Sequence, residues 1–520
     1  MSVPLMNLCR AAAYCTLLAA AGFPVVPASA ALSLAAPFTD HAVLQRDRPV
    51  PLWGRAGPRA VVTVEYRGQK LQAAADGSGR WRVALAAMAA AADGADLSVT
   101  TATGEAVTLH DVVVGEVWLA SGQSNMEWSL SGVRDAAAEI AAASHPLIRH
   151  LRVEHVPSDT PADSVATGGW KVCTPATAGE FTAVGYFFAR DLAQKLGVPV
   201  GLIHSSWGAT PIESWLALDV LQKSKAWPRF NAEWQEALKV FPQRQAEYPA
   251  LEAAWRKASI EEQTTGKKNP LNWPHPPVGP GTEFAPGALF NGMIRPLAPY
   301  ALRGALWYQG ESNVGHAEEY AELLPLMIRN WRDQWDGSDF PFYVVQLPNY
   351  ADTHPGGRKW ARLREAQSKV AVLPNVGMVV TIDVGNSLDI HPPNKRPVGE
   401  RLAQLALVQA YGKAGDWSGP VFQTAIRAGS SMRVRFAHAA GLASRTPEIG
   451  GFEIAGEDRV FHRAMVQLDD RSVIVSSPEV PEPVAVRYAW TNDPACPLVN
   501  AAGLPAAPFR TDDWPVSEAE

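Results

Sequence analysis

The chain has 520 residues, of which 47% are hydrophobic, so it is long enough for about two to four domains with sizeable cores. Its 46 basic and 52 acidic residues leave a formal net charge of −6, which excludes the basic footprint typical of nucleic-acid-binding proteins. No stretch after residue 30 is long and apolar enough to predict a membrane-spanning helix.

The first thirty residues have the pattern of a signal peptide. Arg10 is their only charged residue, and an Ala-rich apolar run follows it from Ala11 to about Val26. Small residues at Ala28-Ser29-Ala30 predict a cleavage site. The run is too short to span a bilayer comfortably, although a retained N-terminal anchor is the alternative. We therefore expect a mature chain that begins near Ala31 and is secreted or periplasmic.

Two of the four cysteines, Cys9 and Cys15, lie in the predicted signal peptide. The mature chain keeps Cys173 and Cys496, and both a disulfide between them and two unpaired thiols are compatible with the sequence. Because no Cys/His cluster has the spacing of a zinc site, we predict neither a metal nor an organic cofactor.

Residues 31–111 predict an N-terminal β module. Short β-like segments such as Val61–Tyr66 and Arg80–Leu85 are separated by turns rich in Gly, Asp and Pro, for example Asp76–Gly79. Strands at this spacing are typical of a small β-sandwich.

Residues 112–412 predict an α/β domain, because strand-like and helical runs alternate there. The predicted strands are 112–119, 198–203, 303–308, 340–347 and 376–382, and the predicted helices are 182–196, 317–335, 358–370 and 395–411. This alternation favours a parallel sheet covered by helices on both faces.

Two further segments complete the predicted organisation. Residues 216–286 are rich in Trp and charge and then in Pro and Gly, which indicates a helical insertion followed by a long loop. From residue 413 to 520 the β pattern returns, as in Met432–Phe436, and predicts a C-terminal β module.

Polar motifs follow four of the predicted strands. Ser124 follows the first strand of the domain, Gly208 the second and Asn313 the third, whereas Asp389 and His391 come after the strand that ends near residue 382. Because ligands bind outside the carboxyl ends of strands in open parallel sheets, these residues are expected to meet on one rim.

Such a set of residues suits acyl transfer. A serine nucleophile needs an adjacent base, and the base needs a third group that orients it, which here are Ser124, His391 and Asp389. The tetrahedral intermediate also needs hydrogen-bond donors, and the Ser124 and Gly208 amides and the Asn313 side chain are the candidates.

The motifs resemble those of SGNH hydrolases and, within them, of the sialate O-acetylesterase family. Gly122–Met126 resembles the block of the nucleophile, and Gly208, Asn313 and His391 stand where the blocks of the oxyanion glycine, the asparagine and the histidine are expected. The longer strings that resemble the sialate O-acetylesterases are Val117–Trp128, Pro211–Trp215 and His391–Lys395, with further similarity at Phe38–Asp47 and Gly503–Thr511.

The resemblance implies a fold and an activity. The fold is a central SGNH-type α/β/α domain with a helical insertion, flanked by N- and C-terminal β-sandwich-like modules. The activity is hydrolysis of an O-acetylated carbohydrate, an O-acetylated sialic acid in particular, through an acetyl-enzyme on Ser124. Candidates for substrate contact are Gln123, Trp207, Gln309, Glu311 and His316, although Trp207 is an equally good core residue and Glu311 is also expected to hold the loops.

One feature departs from the wider SGNH pattern, which places two residues between the aspartate and the histidine. Here one residue separates Asp389 from His391, so Asp383 is a rival for the third position. We favour Asp389, because residues two apart on an extended segment face the same side.

Two other functions are compatible with the same sequence. An acetylxylan esterase, or another polysaccharide acetylesterase, would keep the chemistry and change the substrate. A non-catalytic carbohydrate-binding protein would use the β modules with an inactive hydrolase core. The presence of all four blocks favours an enzyme, and the sequence predicts no particular oligomeric state.

Overall fold

A computed structural model describes residues 31–352 and 357–516 of the chain. The predicted signal peptide, residues 1–30, lies outside the described residues. Within the described ranges, no helix has both the length and the apolar character that a membrane crossing requires. The mixed α/β class predicted from the sequence is confirmed, with both parallel and antiparallel sheets.

The N-terminal region consists of short strands with alternating burial. In Arg80–Leu85, Trp81, Val83 and Leu85 are buried and the residues between them are exposed, as a sheet with one covered face requires. The strands are β1 (Ser33–Leu34), β2 (Val43–Gln45), β3 (Val50–Arg55), β4 (Val61–Tyr66), β5 (Gln69–Ala74), β6 (Arg80–Leu85), β7 (Ala91–Thr101) and β8 (Ala106–Gly122). Strands β1, β3 and β6 form one sheet, whereas the others are connected through β8.

The central sheet has the order β10-β9-β11-β8-β12-β13-β14. Its further strands are β9 (His145–Val153), β10 (Thr167–Cys173), β11 (Val200–Ser206), β12 (Gly304–Tyr308), β13 (Phe342–Val345) and β14 (Val376–Val379). All neighbouring strands in this order are parallel except β9 and β10, which pair antiparallel. Neither β9 nor β10 is among the strands predicted from the sequence. Strands β11, β12 and β13 are buried throughout, as a sheet covered on both faces requires.

Helices cover both faces of this sheet. They are α1 (Ser124–Glu127), α2 (Ala136–Ala141), α3 (Ala183–Leu196), α4 (Leu218–Leu221), α5 (Trp227–Thr265), α6 (Ala317–Gln334), α7 (Lys359–Ser368) and α8 (Arg396–Gln409). Trp118 of β8 packs on Phe188 of α3, whereas Trp307 of β12 packs on Trp331 of α6. Trp118 pairs with Gly304, which is three residues before Trp307. Because successive side chains on a strand point to opposite faces, the two tryptophans lie on opposite faces of the sheet.

Strand β8 continues through the predicted domain boundary. It pairs antiparallel with β7 over residues 106–114 and parallel with β11 from Glu116 onward. The boundary between residues 111 and 112 therefore falls inside one strand. Buried Glu116 marks the junction, where its carboxylate accepts hydrogen bonds from Arg46 of the N-terminal region and from Arg303 before β12, the latter at 2.7 Å.

The segment predicted as an insertion contains the 39-residue helix α5, and residues 266–286 after it form neither helix nor strand. Helix α5 has no buried residue, so it lies on the surface of the molecule. Near its beginning, Arg229 donates a hydrogen bond of 2.7 Å to Glu319 of α6. The insertion is thereby connected to the central domain.

The C-terminal region consists of strands in three small sheets. They are β15 (Val421–Ala428), β16 (Ser431–Ala437), β17 (Ala443–Ser444), β18 (Phe452–Ala455), β19 (Phe461–Arg463), β20 (Met465–Asp469), β21 (Ser472–Ser476), β22 (Ala485–Tyr488), β23 (Leu498–Val499) and β24 (Phe509–Arg510). Two sheets have four strands, β15-β16-β21-β20 and β19-β18-β22-β24, and the third pairs β17 with β23. Val380 and Ile382, which follow β14, belong to the hydrophobic core of this region.

Cys173 and Cys496 are both free thiols, which decides between the two alternatives left by the sequence. Cys173 is buried, and its thiol lies 3.8 Å from the carbonyl of Ala143. The thiol of Cys496 lies 3.5 Å from the carbonyl of Ile382. Burial raises the pKa of Cys173 to about 12 and that of Cys496 to about 11, so both thiols stay protonated at neutral pH.

Candidate active site

Ser124 lies in a sharp turn between strand β8 and helix α1. Gly122 ends the strand with a φ of +136°, and a Cβ there would lie 2.1 Å from the carbonyl oxygen of Tyr308. The next residue, Gln123, donates its backbone N–H to that same carbonyl at 3.0 Å. Only glycine fits this close approach of two strands, and the turn presents Ser124 at the carboxyl edge of the sheet.

His391 lies in the loop between β14 and α8, where its ring reaches Ser124. Its Nε2 is 2.8 Å from the Ser124 Oγ, although 267 positions separate the two residues in the chain. Trp128, just after α1, stacks on the imidazole with 5.3 Å between ring centroids and 21° between the planes. This contact restricts the orientation of the ring.

The surroundings of His391 favour its neutral form. Burial lowers the pKa of His391 from its ordinary value, the positive charge of Lys395 lowers it further, and Asp389 opposes the change. A neutral imidazole can accept the serine proton, whereas an imidazolium cannot.

The two aspartates that compete for the third position differ in their contacts. Asp389 Oδ1 lies 3.9 Å from His391 Nδ1 and accepts the backbone N–H of His391 at 2.8 Å. Asp383 instead accepts two hydrogen bonds of 2.7 Å from Arg401 and one of 2.9 Å from Arg445. Asp389 is therefore next to the imidazole, while the carboxylate of Asp383 is bound by two arginines.

Gly208 lies beside the serine, but its amide is not free. A Cβ at Gly208 would be 3.3 Å from that of Ser124, and the Gly208 N–H donates to the Glu127 carboxylate at 2.7 Å. The other oxygen of Glu127 lies 2.9 Å from His155 Nε2. The sequence predicts this amide as an oxyanion donor, whereas in the structure it is hydrogen-bonded to a carboxylate.

Asn313 is held in place from three sides. Its Oδ1 accepts the Ile212 N–H at 3.0 Å and the Gln309 side chain at 2.8 Å, and its Nδ2 donates to Glu213 at 2.9 Å. Burial raises the pKa of Glu213, and the hydrogen bond from Asn313 counteracts it. Since an amide nitrogen has two protons, one remains for a further acceptor.

Two predicted substrate contacts prove to be buried supports of the site. Gln123 is 3% exposed, and its Oε1 accepts the backbone N–H groups of Gly310 and Ser312 at 3.3 and 3.2 Å. Gln309 is fully buried, and its Nε2 donates to Asn313 and to the carbonyl of Thr210. Both side chains hold the loops of the rim, and their contact with a substrate stays a prediction.

The other predicted contacts are distributed differently. Trp207 is partly exposed and stacks on His155 with 4.2 Å between centroids. His316 is partly exposed and lines a cavity together with Asn313. Glu311 hydrogen-bonds Asn125 at 2.5 Å, which agrees with the expectation that it holds the loops.

A buried polar network beneath the serine was not foreseen. Asn125 donates to the carbonyl of Ile390, the residue before His391, at 3.0 Å, and accepts a hydrogen bond from Lys395. Burial lowers the pKa of Lys395 to about 7, against the attraction of Glu311. Burial also raises the pKa of Glu311. The only sequence signal was proximity, since Asn125 follows Ser124 and Lys395 lies four positions after His391.

Comparison with known proteins identifies the family. Residues 272–408 match the sequence model of a family described as carbohydrate esterase, sialic acid-specific acetylesterase. The sialate O-acetylesterase of Mus musculus is 28% identical over 90% of this chain and 92% of its own, and that of Homo sapiens is 27% identical over 88% of each. The crystal structure of a carbohydrate acetylesterase from Xanthomonas citri is 38% identical, with a TM-score of 0.79 over 93% of this chain and 100% of its own. The chain therefore belongs to the sialate O-acetylesterase family, and it is a carboxylic ester hydrolase.

Proposed function

We propose that this protein removes O-acetyl groups from carbohydrates, O-acetylated sialic acids in particular, through an acetyl-enzyme on Ser124. The observation that carries this proposal is the 2.8 Å distance between Ser124 Oγ and His391 Nε2 at the carboxyl edge of a parallel sheet. The relatives named as sialate O-acetylesterases support the choice of substrate, because each matches nearly the whole chain. The SGNH-type arrangement of the central domain is part of the same proposal.

In the first step Ser124 attacks the acetyl carbonyl carbon while His391 Nε2 takes the hydroxyl proton. The new C–O bond converts the carbonyl into a tetrahedral oxyanion. Asp389 lies on the Nδ1 side of the ring, so its charge stabilises the imidazolium that forms.

Hydrogen-bond donors for the oxyanion come from two residues. The N–H of Ser124 is at the first position of α1, where an amide has no partner within the helix, and Asn313 has its second Nδ2 proton. The Gly208 N–H becomes a third donor when Glu127 releases it, since a carboxylate 2.7 Å away would otherwise repel the oxyanion.

The tetrahedral intermediate then collapses. The bond to the sugar oxygen breaks, and the sugar leaves with the proton that His391 had taken. A water molecule, deprotonated by the same imidazole, attacks the acetyl-serine, after which acetate leaves and Ser124 recovers its proton. The sum is ester plus water giving alcohol and acetic acid.

Substitution of the nucleophile tests this mechanism. We expect Ser124→Ala to lower acetate release from O-acetylated sialic acid at least about 10⁴-fold, because no other group can form the acyl-enzyme. Thermal unfolding should be close to that of the wild type. Ser129→Ala is the matched control, because within the described residues the Ser129 hydroxyl bonds only that of Ser131. Wild-type turnover by the Ser124 variant would refute the proposal, and preference of the wild type for acetylated xylan would change its substrate.

We also propose that the chain is exported, on the basis of the signal-peptide pattern of residues 1–30. N-terminal sequencing of the exported protein should begin near Ala31. A product that still carries residues 1–30 would contradict cleavage and favour a retained anchor.

A further inference from the structure

A cavity of about 310 Å³ lies between helix α5 and the loop that carries Asn313. Phe230 and Trp234 of α5 line one side, and Asn313 and His316 line the other. Ser312, also in the lining, donates its backbone N–H to the side chain of Gln123, the residue before Ser124. The cavity therefore borders a residue that is hydrogen-bonded to the segment leading to the proposed nucleophile. We call it the insertion cleft.

The two arginines of the insertion cleft differ in their partners. Arg229 hydrogen-bonds Glu233 at 2.5 Å and Glu319 at 2.7 Å, and Glu213 accepts from Asn313. Arg244, ten residues after Trp234 on α5, is exposed, and its side chain makes no hydrogen bond or ion pair within residues 31–352 and 357–516. Its guanidinium is therefore available to an anionic ligand.

The other walls suit a single sugar. Phe230, Trp234 and Phe284 offer aromatic surface, against which the C–H face of a pyranose can pack, and Asn313 and His316 offer polar atoms. The volume is at the lower end of the roughly 300–1,000 Å³ of small-molecule sites. A cleft of this size has room for one sugar residue, whereas a polysaccharide needs an extended groove.

We propose that the insertion cleft binds the sugar ring of an acidic monosaccharide unit, with the sugar carboxylate paired to Arg244. The inference rests on the proposed esterase activity at Ser124 and deepens it, because it assigns the selection of an anionic substrate to a residue of the insertion. A planar guanidinium can bind a carboxylate through two parallel hydrogen bonds. A neutral acetylated polysaccharide has no group that would replace them.

Two substrates that differ in charge alone test the assignment. They are an O-acetylated sialic acid and the methyl ester of the same compound, and the measured quantity is the ratio of kcat/KM for the acid to that for the ester. We expect the wild type to prefer the acid, and Arg244→Gln to lower the ratio about tenfold, mainly through KM. Arg256→Gln is the matched control, because Arg256 lies on the same helix and its side chain pairs, among the described residues, only with Glu252.

Each outcome bears on one of the two proposals. An unchanged ratio in Arg244→Gln, an equal loss for both substrates, or no preference of the wild type for the acid would overturn the assignment of Arg244. Hydrolysis of 4-nitrophenyl acetate by Ser124→Ala at the wild-type rate would overturn the proposed function instead. If Ser124→Ala is inactive while the ratio is unaffected by Arg244→Gln, the esterase stands and only the cleft assignment fails.

Discussion

At the residue scale, Asp389 and Asp383 should respond differently to the same substitution. Asp389 is half exposed and close to the imidazole, whereas Asp383 is 6% exposed and binds two arginines. A charge beside the base affects the reaction, while a buried carboxylate between guanidinium groups affects folding. Substitution of Asp389 should therefore affect mainly the reaction, and substitution of Asp383 mainly the stability of the fold.

We predict that Asp389→Asn lowers kcat roughly 10- to 100-fold, less than the roughly 10⁴-fold of a tightly bonded triad aspartate, because 3.9 Å exceeds hydrogen-bond distance. Its free energy of unfolding should change by less than about 1 kcal/mol. Asp383→Asn should cost about 3–5 kcal/mol, because it leaves Arg401 and Arg445 without their counter-charge. Acetate release and urea unfolding are the measurements, and a catalytic loss confined to Asp383→Asn would reverse the roles.

The charge of Lys395 should set the acid limit of activity. Since the neutral form of His391 is the proposed base and its pKa is lowered from 6.5, kcat/KM should fall only as the pH drops below that ordinary value. Lys395→Met removes a positive charge that lowers the pKa of His391, so the acid limb of the pH profile should move to higher pH. Asp389→Asn should move it to lower pH.

The measurement is the pH dependence of kcat/KM for a simple acetyl ester. Lys369→Met, which removes a lysine that is exposed on the surface, is the control and should leave the acid limb in place. A limb that stays fixed or moves to lower pH in Lys395→Met would contradict the electrostatic origin of the shift.

At the element scale, the N-terminus of helix α3 is hydrogen-bonded to the segment that begins with Ser124. Thr182, the N-cap of α3, accepts the Gly185 N–H at 3.4 Å and donates to the carbonyl of Met126 in α1 at 2.6 Å. The side chain is fully buried, so no water can replace either bond. A single hydroxyl thus joins the covering helix to the segment that begins with Ser124.

We predict that Thr182→Val, which keeps the shape and removes the hydroxyl, lowers the free energy of unfolding by about 1–3 kcal/mol, because it leaves the Met126 carbonyl unsatisfied. Urea unfolding measures this change. Thr264→Val on exposed α5 is the control and should stay within about 0.5 kcal/mol of the wild type. Equal stability of the two variants would show that the cap bond contributes nothing.

At the scale of the whole molecule, the C-terminal region and the central domain share their core and their hydrogen bonds. Val380 and Ile382 of the central domain pack among C-terminal side chains. Arg364 of α7 is fully buried, and it donates to the carbonyls of Thr491 and Asn492 at 3.1 and 2.5 Å. Burial lowers the pKa of Arg364 to about 9, and these carbonyls accept hydrogen bonds from its two terminal nitrogens.

We therefore predict that a chain of residues 31–412 does not fold cooperatively. It would expose Val380 and Ile382 and leave the guanidinium of Arg364 without these acceptors. Near-ultraviolet circular dichroism and thermal unfolding of this chain, compared with those of residues 31–520, measure the effect. A transition within a few degrees of the longer chain would show that the central domain is independent of the C-terminal strands.

The sequence was least informative about strands that contain buried polar residues. Strand β9 contains Arg149 and His150, both buried, and the motif of β10 begins with Thr167-Gly168-Gly169, so neither segment has the apolar pattern of a buried strand. Arg149 is buried because it hydrogen-bonds Asp111, 38 positions earlier in the chain. A partner so far away in the sequence gives no local pattern from which the burial of Arg149 could be predicted.

The sequence by itself determined the alternation of strands and helices and the placement of Ser124, Gly208, Asn313 and His391 after strands, because periodicity and turn chemistry are local properties. The tertiary structure alone decided that Asp383 binds arginines, that the Gly208 amide is bonded to Glu127 and that Lys395 donates to Asn125. Each of these depends on which of several chemically equivalent partners comes within about 3 Å, and the packing of distant segments sets that distance.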